Sequence, residues 1–317
     1  MKILVTGSSG HLGEALMRTL NDRQQEAIGL DITPSPFTHL VGSVADRAIV
    51  ARAMNWVDAV IHTATLHKPH VITHTRQDFV DTNISGTLNL LEEAAAQNIK
   101  SFVFTSTTSV FGDAMAPAAG QPAVWVTEDL KPKPKNIYGV TKTAAEDLCE
   151  LFNRDHGLAC IVLRTSRFFP EDDDEPAKRD NFNDDNMKLI EYLYRRVDIE
   201  DAVDAHLLAM EKASAIGFGR YIITATTPFT WDDLPELNVN APSVVARYFP
   251  GYDEVFAARG WKMFPKIDRV YVNERARNDL GWQPKYGFAE MLARIKSGDD
   301  LRSPLARAIG AKGYHLK

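Results

Sequence analysis

Three groups of residues in this sequence have types and spacings that could do chemistry. Tyr138 and Lys142 stand four positions apart in Asn136-Ile137-Tyr138-Gly139-Val140-Thr141-Lys142. On a helix such a pair shares one face, with Cβ atoms about 5–6 Å apart. A phenol titrates near 10 and is a poor base at neutral pH, but an ammonium ~4 Å away in an effective dielectric of ~20 contributes about 4 kcal/mol, or roughly three pKa units. The spacing therefore predicts a Tyr138 that exchanges a proton with a substrate hydroxyl. The second group is a run of hydroxyls, Thr105-Ser106-Thr107-Thr108-Ser109, at the end of the strand-like Phe102-Val103-Phe104. Active sites of open α/β sheets lie at such carboxyl ends. A Tyr and Lys at this spacing arise by chance in many chains, and the hydroxyl run is what gives the pair weight.

The third group is Gly7-Ser8-Ser9-Gly10-His11-Leu12-Gly13, which follows the strand-like Ile3-Leu4-Val5-Thr6 and opens a helix. The first glycine suits a turn at positive φ, the second lets backbone approach a pyrophosphate, and the third permits close helix packing. A helix N-terminus then offers N–H groups and partial positive charge to the phosphates. Asp31 closes the next strand about twenty residues beyond the loop, where a carboxylate accepts from adenosine ribose hydroxyls and repels a 2′-phosphate. Ile32-Thr33-Pro34 brings no Arg or Lys to hold that phosphate. The cofactor read from these residues is NAD, whose nicotinamide exchanges a hydride with the carbon whose hydroxyl Tyr138 serves. A strand-end cap is the alternative role for Asp31.

These groups need a scaffold. Apolar runs at Ile3 to Thr6, Ala27 to Asp31, Ala59 to His62, Phe102 to Ser106 and Cys160 to Arg164 alternate with helix-length amphipathic stretches, one of them Thr141 through Phe152. That order predicts an α/β fold, a doubly wound parallel Rossmann sheet with right-handed crossovers and a smaller, interleaved C-terminal substrate domain. Residues 1–168 are assigned to the NAD-binding part, with 197–226 returning to it through a helix from about Asp198 to Lys212 and a strand at Tyr221 to Ala225. Residues 169–196 and 227–317 are assigned to substrate. The acidic run Glu171 to Glu175, flanked by Pro170 and Pro176, reads as a loop leaving the sheet. Five adjacent acids seldom converge on one ion, and no metal site is expected. Lys131-Pro132-Lys133-Pro134-Lys135 reads as a restricted loop.

Composition bounds the rest. The 317 residues are 44% hydrophobic and 25% charged, with 36 basic and 42 acidic side chains giving a formal charge of −6. Such a balance leaves no electrostatic footprint for nucleic acid or an anionic membrane surface. Two cysteines, Cys149 and Cys160, lack metal-ligand spacing and suit buried packing in a reducing compartment. With no apolar run long enough to span a bilayer and no leader pattern after Met1-Lys2, the expected location is the cytoplasm.

The whole pattern resembles the extended short-chain dehydrogenase/reductases of the NAD-dependent epimerase/dehydratase family. The resemblance rests on Gly7/Gly10/Gly13, Thr107 before Val110-Phe111-Gly112, Tyr138/Lys142, Asn83-Ile84-Ser85-Gly86-Thr87, and Arg275 through Pro284. It implies Thr107 as the hydroxyl partner of Tyr138, Lys142 as the clamp on the nicotinamide ribose, and His62-Thr63-Ala64 beside the cofactor. Ser9, His11, Leu12, Ser43, Val44, Asn83, Thr105 and Tyr138 complete the implied cofactor-binding set. It also implies a homodimer. Where family dehydratases carry an Asp-Glu pair after the threonine, this chain has Thr108-Ser109, which disfavours dehydration. Arg167 stands where the family has an Asn that meets a nucleotide-sugar, and Ser43 where it has an adenine-side Asp. The stretch from Pro170 to Arg196 is short and lacks the usual glycine-containing hairpin. An Arg at 167 could grip a carboxylate or phosphate, or pair with the acidic loop. His67, Thr108 and Arg167 are the candidate substrate contacts, with His70 and His74 nearby; each histidine reads more readily as a surface or loop residue. Three functions remain open on these residues: a sugar epimerase with no net redox, a net dehydrogenase or reductase of a small sugar or sugar acid, and a non-catalytic NAD-sensing protein.

Overall fold

Continuous apolar runs bury on both sides of a sheet, and the five in this chain become the inner strands of a seven-stranded parallel sheet. The computed structural model describes residues 1–171 and 176–313. Its strands are β1 (Lys2–Thr6), β2 (Glu26–Asp31), β3 (Leu40–Val41), β4 (Ala59–His62), β5 (Ser101–Thr107), β6 (Val124–Val126), β7 (Cys160–Thr165), β8 (Phe218–Ile223) and β9 (Arg269–Tyr271). Seven form one sheet in the order β3-β2-β1-β4-β5-β7-β8, and β6 pairs with β9 in a separate parallel ribbon. The order runs outward in opposite directions from β1 and β4. Between those strands lies the switch point where ligands of doubly wound sheets bind.

Alternate residues of each strand feed the two faces. Ile3, Val5, Ile61, Val103 and Ile161 pack with helices α1 (His11–Asp22) and, further along the chain, Ile199–Ile216. Leu4, Val60, Phe102, Phe104 and Val162 pack on the other side with α2 (Arg47–Ala53), α3 (Gly86–Ala96) and α4 (Ile137–His156). A further core gathers Met187, Leu189, Ile190, Leu237, Val244, Phe256, Val270, Phe288 and Ile295. The chain then returns: Ala276, Leu280, Trp282 and Ile309 pack into the first core, where Trp282 Nε1 donates to the Asp201 carbonyl at 3.0 Å.

The helix carrying the Tyr–Lys pair begins four residues earlier than the apolar pattern suggests. Asn136 caps it by accepting from the Gly139 N–H at 3.1 Å, and Gly157 ends it at φ 68°, the polar cap and left-handed stop that helix termini favour. The later helix spans Ile199–Ile216, α5 here, with Asp198 as its cap, and the strand expected at 221–225 occupies Phe218–Ile223. The Lys-Pro run is pinned through Lys133, which exchanges backbone bonds with Phe111 and Asp113.

Candidate active site

The glycine loop closes the C-terminal end of β1. Gly7 sits at φ 70°, a conformation that disfavours any Cβ, and a Cβ on Gly13 would lie 1.9 Å from the Gly7 carbonyl oxygen. The first turn of α1 thus rests directly on the loop, and Gly10 at its N-cap brings no side chain to close the helix end. That end is open to an anion. Asp31 accepts from the Ser9 N–H at 3.0 Å and the Thr33 N–H at 2.8 Å. Each carboxylate oxygen keeps a lone pair for a further donor. Val44 is placed by α3, whose Asn89 amide donates to the carbonyls of Val44 and Ala45 at 3.1 Å.

One cleft of about 870 Å³ runs from this loop to the end of β5, within the range of small-molecule sites. Gly7, Ser9, Gly10, His11, Leu12, Gly13, Asp31, Ser43, Val44, Thr63, Ala64 and Thr105 all line it on the cofactor side. Thr107, Thr108, Tyr138, His67 and Arg167 line the other end, joined by Ser109, Ser166, Arg195 and Tyr271. The loop, the open helix end and the carboxylate at the end of β2 fit a dinucleotide.

Three expected cofactor contacts, His62, Asn83 and Lys142, are not among the residues lining the cleft. His62 is buried beneath the cleft, its Nδ1 2.7 Å from Thr6 Oγ1 and its Nε2 3.0 Å from Thr87 Oγ1. Burial, followed by the charge of Lys142, pushes its pKa well down, so it is a neutral ring that ties β1 and β4 to the helix behind them. Asn83 is also behind the wall. Its amide donates to the Leu66 carbonyl and Thr141 Oγ1 and accepts from the Leu66 N–H and Thr65 Oγ1, all within 3.0 Å. It shapes the loop after β4 without reaching the cleft.

The Tyr–Lys pair departs from expectation in its electrostatics. Lys142 is 2% exposed, and its Nζ donates to the Thr105 carbonyl at 2.6 Å while lying 3.9 Å above the Phe104 ring. Burial pushes it down to about 7, against the opposing charge of Glu146. Tyr138 is pushed up to about 12 by burial, with the Thr107 hydroxyl as the group that opposes the shift. The expected lowering of the phenol by the ammonium is thus overturned. The amine is desolvated and directed at the strand backbone, and dehydration of the phenol exceeds what its hydrogen bond returns.

His11 adds a feature that the glycine pattern gives no sign of. Its Nε2 lies 3.0 Å from Glu171 Oε1, and its ring meets Phe169 edge-on at 5.5 Å. Burial pushes the Glu171 carboxyl up, but His11 and the Lys312 N–H outweigh it and hold it at about 2. The remaining members of the acidic run, 172–175, lie outside the described residues. His67 stacks on Phe169 at 5.8 Å and meets His70 at 4.3 Å, and His70 meets His74 at 5.0 Å. Arg167 and Arg195 share the buried Glu191 with Arg196: Arg195 at 2.6 Å, Arg196 at 2.9 Å and Arg167 at 4.0 Å. Arg195 comes from the turn before α5, and no local pattern marks it.

Comparison with known proteins agrees with this geometry. The family model described as NAD dependent epimerase/dehydratase family matches residues 3–223. The uncharacterized UDP-glucose epimerase YtcB of Bacillus subtilis is 30% identical over 185 residues, covering 52% of this chain and 55% of that protein. The chain thus spans about half the length of the first curated relatives it matches. A 2-alkyl-3-oxoalkanoate reductase of Stenotrophomonas maltophilia is 28% identical over 334 residues, covering 94% and 99%. Among solved structures, a short-chain dehydrogenase/reductase superfamily protein of Agrobacterium tumefaciens with bound NAD superposes at a TM-score of 0.66, with 23% identity over 94% of this chain and 96% of that one.

Proposed function

This chain belongs to the NAD dependent epimerase/dehydratase family, and from that premise we propose that it moves a hydride between NAD and the secondary alcohol carbon of a sugar-like substrate, with epimerisation as the net reaction. One observation carries the reading: a single cleft joins the Gly7–Gly13 loop and Asp31 to Thr107 and Tyr138. Bound NAD supplies the acceptor and donor of the hydride. The open N-terminus of α1 would receive its pyrophosphate, Asp31 its adenosine ribose, and Thr63 and Ala64 would flank it past β4. Lys142, beneath the cleft, would set the charge at the nicotinamide ribose. Thr107 orients the substrate oxygen, and Tyr138, neutral in this setting, gives that oxygen a proton as a ketone becomes an alcohol and takes it back in reverse. His67, Thr108 and Arg167 are the proposed substrate contacts, with Ser109, Ser166, Arg195 and Tyr271 beside them on the same wall.

A net dehydrogenase or reductase is the second reading. It is favoured by Arg167 and Arg195 on the cleft wall, which suit a small acidic substrate, and by the full-length likeness to the Stenotrophomonas reductase. Incubation of the purified protein with NAD and a panel of sugars, uronates and nucleotide-sugars, followed by product stereochemistry and NADH yield, separates the two. Inverted sugar without NADH supports the epimerase, and accumulating NADH with ketone or lactone supports the dehydrogenase. No conversion of any candidate counts against both. The reading also carries the family's homodimer and a cytoplasmic location.

A further inference from the structure

We propose that Glu146 is a positioning residue for Thr107, Tyr138 and Lys142: its carboxylate locks the register of α4 on β5 and supplies the buried negative charge that keeps Lys142 an ammonium. The proposal rests on the hydride-transfer reading for what those three residues do. Tyr138, Lys142 and Glu146 follow one another at four-residue intervals on one face of α4. They meet three consecutive residues of β5. The Thr107 hydroxyl faces the Tyr138 phenol, the Thr105 carbonyl accepts from Lys142 at 2.6 Å, and Ser106 Oγ donates to Glu146 Oε1 at 2.5 Å.

Glu146 is itself fixed from two more strands. Arg164 of β7 donates through Nε to both carboxylate oxygens at 3.1 Å and through Nη2 at 2.7 Å, and Arg220 of β8 approaches to 3.5 Å. Thr165 Oγ1 holds the Ser106 carbonyl at 2.9 Å. With Glu146 1% and Arg164 3% exposed, the cluster is rigid, because breaking it leaves a buried charge without its partner.

The surroundings of Lys142 show why a charge there matters. β5 presents the Phe104 ring and the Thr105 carbonyl, and β4 presents His62, which burial keeps neutral. On its own helix stand Glu146 and Cys149, whose thiol burial pushes well up and keeps protonated. Glu146 is therefore the anion that Lys142 meets among these groups. Glu146 stands one helical turn from Lys142 on the same face and raises its titration, and Lys142 at about 7 stands where that decides its protonation at neutral pH.

The test is a direct titration of Lys142 in the full chain by NMR of ε-carbon-labelled lysine, assigned with Lys142→Met, alongside the kcat–pH profile of the NAD-loaded enzyme. Glu146→Gln keeps an acceptor for Ser106 and removes the charge. The expected result is a Lys142 titration lowered by about one unit or more, with the alkaline limb of kcat moving with it. Ser106→Ala keeps the charge and loosens the register, so it leaves the titration in place and lowers kcat with little change in KM. A folded Glu146→Gln protein whose Lys142 titrates as in the wild type overturns the charge role, and unchanged kcat in Ser106→Ala overturns the register role. If Glu146→Gln does not fold, Glu146→Gln with Arg164→Met, compared with Arg164→Met alone, answers the same question. Wild-type protein without turnover but with the Lys142 shift intact counts against the hydride-transfer reading alone. Wild-type turnover with an unmoved Lys142 counts against this proposal alone.

Discussion

Lys142 Nζ donates to the carbonyl oxygen of Thr105 at 2.6 Å, so the lysine of the Tyr–Lys pair is held by β5. The same threonine engages His206 of α5 on the opposite face of the sheet, its hydroxyl 2.8 Å from Nε2. Thr105 is thereby fixed from both sides, and Thr107, two residues on, inherits that placement. The site is preorganised by hydrogen bonds that run through the strand, and its two titratable members are shifted by burial before any ligand arrives.

Tyr138→Phe removes the hydroxyl proposed to exchange a proton with substrate while keeping the ring's packing. Loss of a general acid or base costs about 10²–10⁴-fold. The expected outcome is a kcat lowered within that range, with NAD affinity by calorimetry changed far less because the glycine loop and Asp31 are untouched.

Asp31→Ser tests cofactor choice. The carboxylate takes the Ser9 and Thr33 N–H groups and would take the ribose hydroxyls. Bonds to a charged group contribute about 1.5–3 kcal/mol, so NAD should bind about tenfold to a hundredfold more weakly. Affinity for NADP should fall less or rise, since the repulsion toward a 2′-phosphate is gone. Titration with both cofactors reads the ratio.

Gly13→Ala places a Cβ 1.9 Å from the Gly7 carbonyl oxygen, and the loop must shift to admit it. NAD binding should be lost, and the thermal midpoint should fall by several degrees, in line with overpacking costs of about 1–3 kcal/mol. Calorimetric binding and thermal unfolding check both.

Glu191 sets an acid limit on stability. Burial pushes its carboxyl up, but Arg195, Arg196 and Arg167 outweigh this and hold it at about 2. An unfolded carboxyl titrates near 4.3, so its contribution is fully present above about 4.5 and is lost as pH falls toward 2. The thermal midpoint of the wild type should therefore fall more steeply between about pH 4.5 and 2 than that of Glu191→Gln. Parallel slopes would contradict the assignment.

Much of this was legible in the residues. Continuous apolar runs marked β1, β2, β4, β5 and β7 because strands buried on both faces need them, and the glycine loop, Asp31, Thr107 and Tyr138 fall on one cleft. The two residues of β3 carry no pattern of their own, and β6 and β9 pair across a long sequence separation that local periodicity does not encode. His62 follows the alternation of β4, which turns it toward Thr6 and Thr87 and away from the cleft. The direction of Lys142 was hidden for the same reason: helix spacing places its Cβ beside Tyr138, whereas Phe104 and Thr105 on another element decide where its amine ends.

The central claim is that Tyr138 and NAD act on one substrate carbon, and absorbance of reduced nicotinamide measures it most directly. Purified wild-type protein and Tyr138→Phe are mixed with NAD and each sugar, uronate and nucleotide-sugar in turn. The account predicts reduced nicotinamide with at least one substrate, transient for an epimerase and accumulating for a dehydrogenase, and strongly suppressed in Tyr138→Phe. Neither reduced nicotinamide nor an inverted sugar with any of them, or equal conversion by both proteins, would contradict it.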